Sequence, residues 1–123
     1  MKQSIIRIMT KEEMVNGLKK RIVDLSLESY IEMFNKAEIK SKSDKYWIDA
    51  VSFFKGLNEE EKRIFFNIVR QIQIDTLSEV LAFLDGVYWV EGQEEDLKLV
   101  SLNNSEEKLN QDLLDTFHNM IYE

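Results

Sequence analysis

The apolar residues of the chain recur at intervals of three and four, which is the period of an amphipathic α-helix. Thr10 and Glu13 have the spacing of a capping box and predict the start of a first helix. There is no proline, so little interrupts helix formation. Further helices are predicted to begin after Ser26, from a cap in loop 40–43, at Asn58 and at Asn104.

The helix that begins at Asn58 is predicted to be the longest. Glutamates in its first turn complement the helix dipole, and apolar residues continue as far as Leu84. They cover more than one face, so we expect this helix to be central and the most buried, either unbroken or kinked at 74–76. The predicted fold is mainly α, a compact bundle of about five helices around this element.

The pattern changes after Gly86. Two short β-prone runs, 87–90 and 97–100, lie on either side of the acidic segment 91–96. They predict a small β-hairpin at 87–100, with a loosely structured loop as the alternative. No repeat, linker or low-complexity tract divides the chain, so residues 1–123 are predicted to form a single helical domain.

The composition is that of a globular protein, with 44% hydrophobic and 32% charged residues. The absence of cysteine excludes a disulfide framework, a thiolate metal site and a cysteine nucleophile. The first apolar run is cut by Arg7, and no uncharged apolar run approaches the roughly 18 residues of a membrane-spanning helix. We therefore expect a cytoplasmic protein with no membrane partner.

The net charge of −7 is unevenly distributed along the chain. Residues 1–74 carry 14 basic and 11 acidic side chains, whereas residues 75–123 carry 2 basic and 12 acidic ones. The acidic carboxy-terminal third repels nucleic-acid phosphates and attracts a basic protein partner. The alternative is that the excess carboxylates only keep the protein in solution.

No recognisable catalytic motif is present. His118 follows Asp115 by three residues on the last predicted helix, but no serine has the context of a nucleophile, so a solvated pair is the better interpretation. Asp75, Glu79 and Asp112 lack the spacing of a calcium loop, and a hydrolase using them with a metal ion is a third alternative. We predict no enzyme activity, no cofactor and no metal.

Adjacent aromatic pairs occur along the chain, and the members of a pair cannot both face one core. Tyr88 and Trp89 flank the acidic segment, and aromatic anchors inside a charged rim are typical of protein-binding surfaces. The alternative for Trp89 is that it closes the core under the hairpin. The alternative function is a self-associating structural or regulatory helical protein, in which the surplus aromatic residues form a homodimer interface. The predicted partner-binding residues are Asp85, Tyr88, Trp89, Glu91, Glu94, Glu95, Asp96, Asp112 and Asp115.

The last third of the chain carries a resemblance. The stretch from Leu84-Asp85-Gly86 through the acidic segment to Leu109-Asn110-Gln111-Asp112-Leu113 and Phe117 looks like that of small acidic helical bacterial proteins of unassigned function. Some of those proteins resemble immunity proteins, which bind and neutralise a toxin. The resemblance implies a protein-binding role and no catalytic residues.

Overall fold

A computed structural model describes residues 7–37 and 44–123, and it is mainly helical with one small antiparallel sheet. The mainly α class is thereby confirmed. No helix within these residues is long and apolar enough to cross a membrane. The elements are α1 (Lys11–Leu18), a π-helical segment (Lys19–Leu25), α2 (Ser26–Lys36), α3 (Lys45–Lys55), α4 (Glu59–Leu84), β1 (Val100–Ser101), β2 (Asn104–Lys108) and α5 (Leu113–Tyr122).

Two predicted helix starts have reciprocal capping boxes. The backbone N–H of Glu13 donates to Thr10 Oγ1 at 3.1 Å, and Thr10 N–H donates to Glu13 Oε1 at 3.2 Å. Asn58 and Glu61 make the same pair of bonds, both at 2.8 Å. These bonds satisfy backbone donors that have no partner inside a helix, which is why both helices begin where the sequence predicts.

The cap of α3 lies later than predicted. Asp44 accepts a 2.8 Å hydrogen bond from the Trp47 N–H, so the cap is a carboxylate immediately before the helix. Loop 40–43, where the cap was predicted, lies among residues that the structure does not describe. The long helix α4 is continuous from Glu59 to Leu84, without a break at 74–76.

The hairpin prediction at 87–100 is wrong in position. Residues 87–99 contain turns but no strand, and the antiparallel pair is Val100–Ser101 with Asn104–Lys108. The final helix was predicted from Asn104, but it begins at Leu113 because residues 104–108 are paired with β1. In this segment, pairing with β1 overrides the local sequence signal for the start of a helix.

The structure divides into two compact units. Of the residues that the structure describes, the terminal unit comprises 7–20 and 75–123, and the middle unit comprises 21–37 and 44–74. In the terminal unit α1 packs against α5, and the buried apolar side chains are Val15, Leu77, Leu81, Ala82, Leu113 and Phe117. That residues 1–123 act as one domain stays a prediction.

The middle unit is built around aromatic rings. The buried Phe34 lies 5.1 to 5.5 Å, centroid to centroid, from Trp47, Phe54 and Phe65. Tilted and edge-on contacts of this kind add to the stability that ring burial already provides. Phe54 is buried while its neighbour Phe53 is exposed, as predicted for adjacent aromatic pairs. The prediction is wrong for Phe65 and Phe66, because both rings contact the buried Phe34 and Phe54.

The expectation that α4 is the most buried helix is wrong for one of its faces. Ile64, Ile68 and Ile72 follow at intervals of four and are 45%, 54% and 58% exposed. An apolar stripe on this helix therefore faces outward in the middle unit.

Candidate functional site

The candidate site begins where α4 ends. The N–H of Gly86 donates to Phe83 O at 3.0 Å, and the N–H of Val87 donates to Ala82 O at 2.9 Å, which is the bond pattern of a Schellman motif. Gly86 has φ of 82°. This left-handed conformation is unfavourable for any residue that has a β-carbon, so glycine is preferred here. The chain leaves α4 at a fixed angle and leads directly into the Tyr88-Trp89 pair.

The acidic loop, residues 91–96, is an ordered structure in the terminal unit. Gln93 N–H donates to Val90 O at 3.1 Å, closing a turn in which Gly92 has φ of 88°. The Gln93 side chain accepts from Val90 N–H at 3.1 Å and donates to Glu95 O at 2.8 Å. One half-buried amide therefore holds both arms of the turn, and the segment between α4 and β1 is a loop with turns, as the alternative to the hairpin supposed.

Two aromatic rings lie beside the acidic loop, and each is fixed at its polar atom. Tyr88 OH donates to Glu79 O at 2.7 Å, and its ring lies 5.8 Å from the Phe83 ring. Trp89 Nε1 donates to Asp96 Oδ1 at 3.0 Å. The residues are 42% and 51% exposed, so Trp89 does not close the core as the alternative supposed. Each ring combines a held orientation with an accessible surface.

The carboxylates of the loop face solvent. Glu91, Glu94, Glu95 and Asp96 are all exposed. Within the part of the chain that the structure describes, no lysine or arginine forms an ion pair with any of these side chains. Their like charges add, so the loop carries a concentrated negative potential.

A buried asparagine that the sequence reasoning missed holds the loop to α4. Asn110 is 1% exposed; its Oδ1 accepts from Leu99 N–H at 2.7 Å, and its Nδ2 donates to Leu84 O at 2.6 Å and to Leu97 O at 2.8 Å. One side chain therefore joins the last residue of α4 to the segment that follows the acidic loop. A buried polar group has to be hydrogen-bonded, and here all three bonds go to backbone.

Asp85 caps the first turn of α5. Its two carboxylate oxygens accept from Leu113 N–H at 3.0 Å and Leu114 N–H at 2.9 Å, in the first turn of α5. Asp112, the residue before α5, has φ of 56° and makes no cap bond with its side chain. The start of α5 is thus capped by the residue that follows α4, and the negative charge also complements the helix dipole.

The nine predicted partner-binding residues form two groups in the terminal unit. Asp85, Asp112 and Asp115 line a cavity of about 240 Å³ together with Lys108. None of residues 88–96 lines that cavity. Tyr88, Trp89, Glu91, Glu94, Glu95 and Asp96 make up the acidic loop and its rings, whereas Asp85, Asp112 and Asp115 are grouped by the cavity that they line.

A second cavity of the terminal unit, about 650 Å³, lies between residues 8–12 and the segment 101–112. It is lined by residues of both charges, among them Lys11, Glu107, Lys108 and Asp112. Lys11 Nζ already donates to Gln111 O at 3.2 Å. Because the charges are mixed, the cavity favours no ligand class.

His118 has a partner that the sequence did not reveal. Its Nε2 lies 3.1 Å from Ser78 Oγ, which is the atom pair that a nucleophilic serine and its base require. Ser78 stands in the interior of α4, where backbone N–H groups bond to the preceding turn and are not available to stabilise an oxyanion. The contact is better interpreted as a hydrogen bond between α4 and α5 in the terminal unit.

The structure does not assemble the carboxylates proposed for a metal. Among residues 7–37 and 44–123, no group of three or more aspartate, glutamate or histidine side chains is placed to hold a metal ion. Asp75, Glu79 and Asp112 accordingly do not form a ligand set.

No family model, curated protein or solved structure matches the chain. The resemblance to immunity proteins therefore stays a hypothesis from the residues, and the function has to be argued from the surface itself.

Proposed function

We propose that the chain is a non-catalytic protein-binding domain of the immunity or antitoxin kind, which occludes a basic partner. The observation that carries this proposal is the acidic loop, an ordered turn of exposed carboxylates with two half-exposed aromatic rings beside it. A reducing cytoplasm suits a cysteine-free chain, and we propose that compartment.

The negative charge of the acidic loop attracts a basic partner to this surface. Glu91, Glu94 and Glu95 carry no intramolecular ion pair among the described residues, so binding a lysine or arginine does not require an existing pair to break. Complementary potentials raise association rates and select against acidic partners.

The rings supply contact area at low entropic cost. Tyr88 and Trp89 are already oriented by hydrogen bonds to Glu79 O and Asp96 Oδ1, so binding does not have to order them. A side chain that is fixed before association loses less conformational entropy on binding. Aromatic residues in such positions are the usual energetic centres of protein interfaces.

The proposal is tested with a ten-residue arginine peptide as the probe for a basic surface. Glu91, Glu94 and Glu95 are changed to lysine, which leaves the Trp89–Asp96 hydrogen bond in place. The control carries the same charge change at exposed positions outside the loop, Glu28→Lys, Glu106→Lys and Glu123→Lys.

We expect the loop variant to bind the peptide at least about tenfold more weakly than the control, with a smaller dependence on salt. Calorimetric titration at several salt concentrations measures both quantities. Equal affinities of the two variants would show that only net charge matters, and the acidic loop would then not be the binding surface.

A further inference from the structure

The middle unit exposes an apolar stripe, defined by Ile64, Ile68 and Ile72 of α4 with Phe53 of α3 beside it. Phe53 is 61% exposed, and the three isoleucines are 45%, 54% and 58% exposed. The isoleucines stand at i, i+4 and i+8 on one helix, so they form a continuous row. Contiguous apolar surface of this kind marks interaction sites, whereas single exposed apolar residues do not.

A groove of about 190 Å³ runs along this stripe. Its lining residues are Phe53, Leu57, Glu61, Ile64, Phe65 and Ile68, all in the middle unit. From Glu61 to Ile68, the part of α4 that lines the groove, the helix advances about 10 Å, which corresponds to two helical turns of a partner. A groove of this length and composition suits the apolar face of a helix.

The groove has one charged group, at one end. Glu61 is the only ionisable residue in the lining, and its Oε1 accepts from Asn58 N–H at 2.8 Å, which fixes the carboxylate in place. The neighbouring Glu60 accepts from Arg63 Nε at 3.0 Å, and this hydrogen bond lowers the pKa of Glu60. Glu60 already has a counter-ion in the protein, whereas the lining of the groove supplies no cation for Glu61.

The same charge argues against a second copy of the chain as the occupant. In a two-fold interface each residue of the patch appears twice, so two Glu61 carboxylates would enter one interface. The lining contains no lysine or arginine to neutralise them, and burying an unpaired carboxylate is costly.

We propose that this groove receives an amphipathic helix of another protein, whose apolar face covers the stripe and whose lysine or arginine meets Glu61. This surface is separate in sequence and in kind from the acidic loop: it is an apolar contact with one charge that sets the direction of the bound helix.

Two designed 14-residue helical peptides serve as probes, one with leucines at intervals of three and four and lysines on its polar face, the other with glutamates in place of the lysines. The full chain carries Glu91→Gln, Glu94→Gln and Glu95→Gln, so that the acidic loop does not compete for the lysine peptide. Binding is followed by two-dimensional NMR on isotope-labelled protein.

We expect the lysine peptide to shift the amide signals of Ile64, Phe65 and Ile68 and to bind at least about tenfold more tightly than the glutamate peptide. Glu61→Gln keeps an acceptor for the capping box and should reduce that preference to less than about threefold. Glu60→Gln, which removes the same charge outside the groove, should preserve it. Ile68→Ser should weaken both peptides by about tenfold.

Three results would overturn the proposal. The first is equal binding of the two peptides, and the second is a set of shifted signals that lies outside the groove. The third is a dimer in sedimentation velocity that depends on protein concentration and disappears in Ile68→Ser, because a second copy would then cover the stripe.

Discussion

Replacing Asn110 with alanine removes the three hydrogen bonds that join the acidic loop to the end of α4. They lead to Leu84 O, Leu97 O and Leu99 N–H, and the side chain that makes them is 1% exposed. A net contribution of about 1 kcal/mol for each bond predicts that Asn110→Ala lowers the free energy of unfolding by about 3 kcal/mol. That is a large share of the stability of a domain this size.

The matched controls are Asn103→Ala and Asn119→Ala, both at exposed positions, which should change the free energy of unfolding by less than about 0.5 kcal/mol. Asn110→Asp separates volume from hydrogen bonding, since it keeps an acceptor for Leu99 N–H but turns an oxygen toward two carbonyls. We expect it to destabilise about as much as alanine.

Urea unfolding followed by far-ultraviolet circular dichroism measures these differences, and NMR signals of residues 91–99 report whether the loop loses its structure. If Asn110→Ala unfolds within about 0.5 kcal/mol of the exposed controls, the three hydrogen bonds do not hold the loop, and the interpretation of Asn110 is wrong.

Three further predictions concern the terminal unit. Asp85→Ala removes the cap of α5 and should cost about 1 to 2 kcal/mol, with faster hydrogen exchange in the first turn of that helix. Gly86→Ala, at φ of 82°, should destabilise by about 1 kcal/mol in urea unfolding, whereas Gly17→Ala, within a helix and in open space, should stabilise slightly. The pKa of Glu13 is lowered from 4.5, mainly because its side chain accepts a hydrogen bond from Arg7. Ionised Glu13 therefore stabilises the native state at pH values above 4.5, and this contribution is lost as the pH falls through the lowered pKa. Glu13→Gln should flatten the acid side of the stability profile measured by thermal unfolding.

The fold could be predicted from the sequence where the cause is local. The capping boxes at Thr10 and Asn58 use residues three positions apart, so the signal and the structure lie in the same short segment. The start of α5 had no such signal, because its cap is Asp85, 28 residues before Leu113. A cap supplied by tertiary structure leaves no local pattern, and the helix-like start at Asn104 belongs to a strand.

The site was predictable to the extent that it is one continuous segment. Tyr88, Trp89 and the loop carboxylates are neighbours in the sequence, so charge and ring pattern were enough to group them. Asp112 and Asp115 are predicted from their charge alone, and in the structure they line a cavity with Lys108. Asn110 could not be found in this way, because its role depends on burial and on backbone groups of distant residues.

The central claim is that a basic partner binds the acidic loop and the rings beside it. An NMR titration of labelled protein with the ten-residue arginine peptide tests this claim most directly, because the indole N–H of Trp89 gives its own signal. The proposal predicts that this signal and the amides of residues 91–96 shift first, together and to saturation. Shifts spread over the exposed acidic side chains of both units, with the Trp89 indole unchanged, would contradict it.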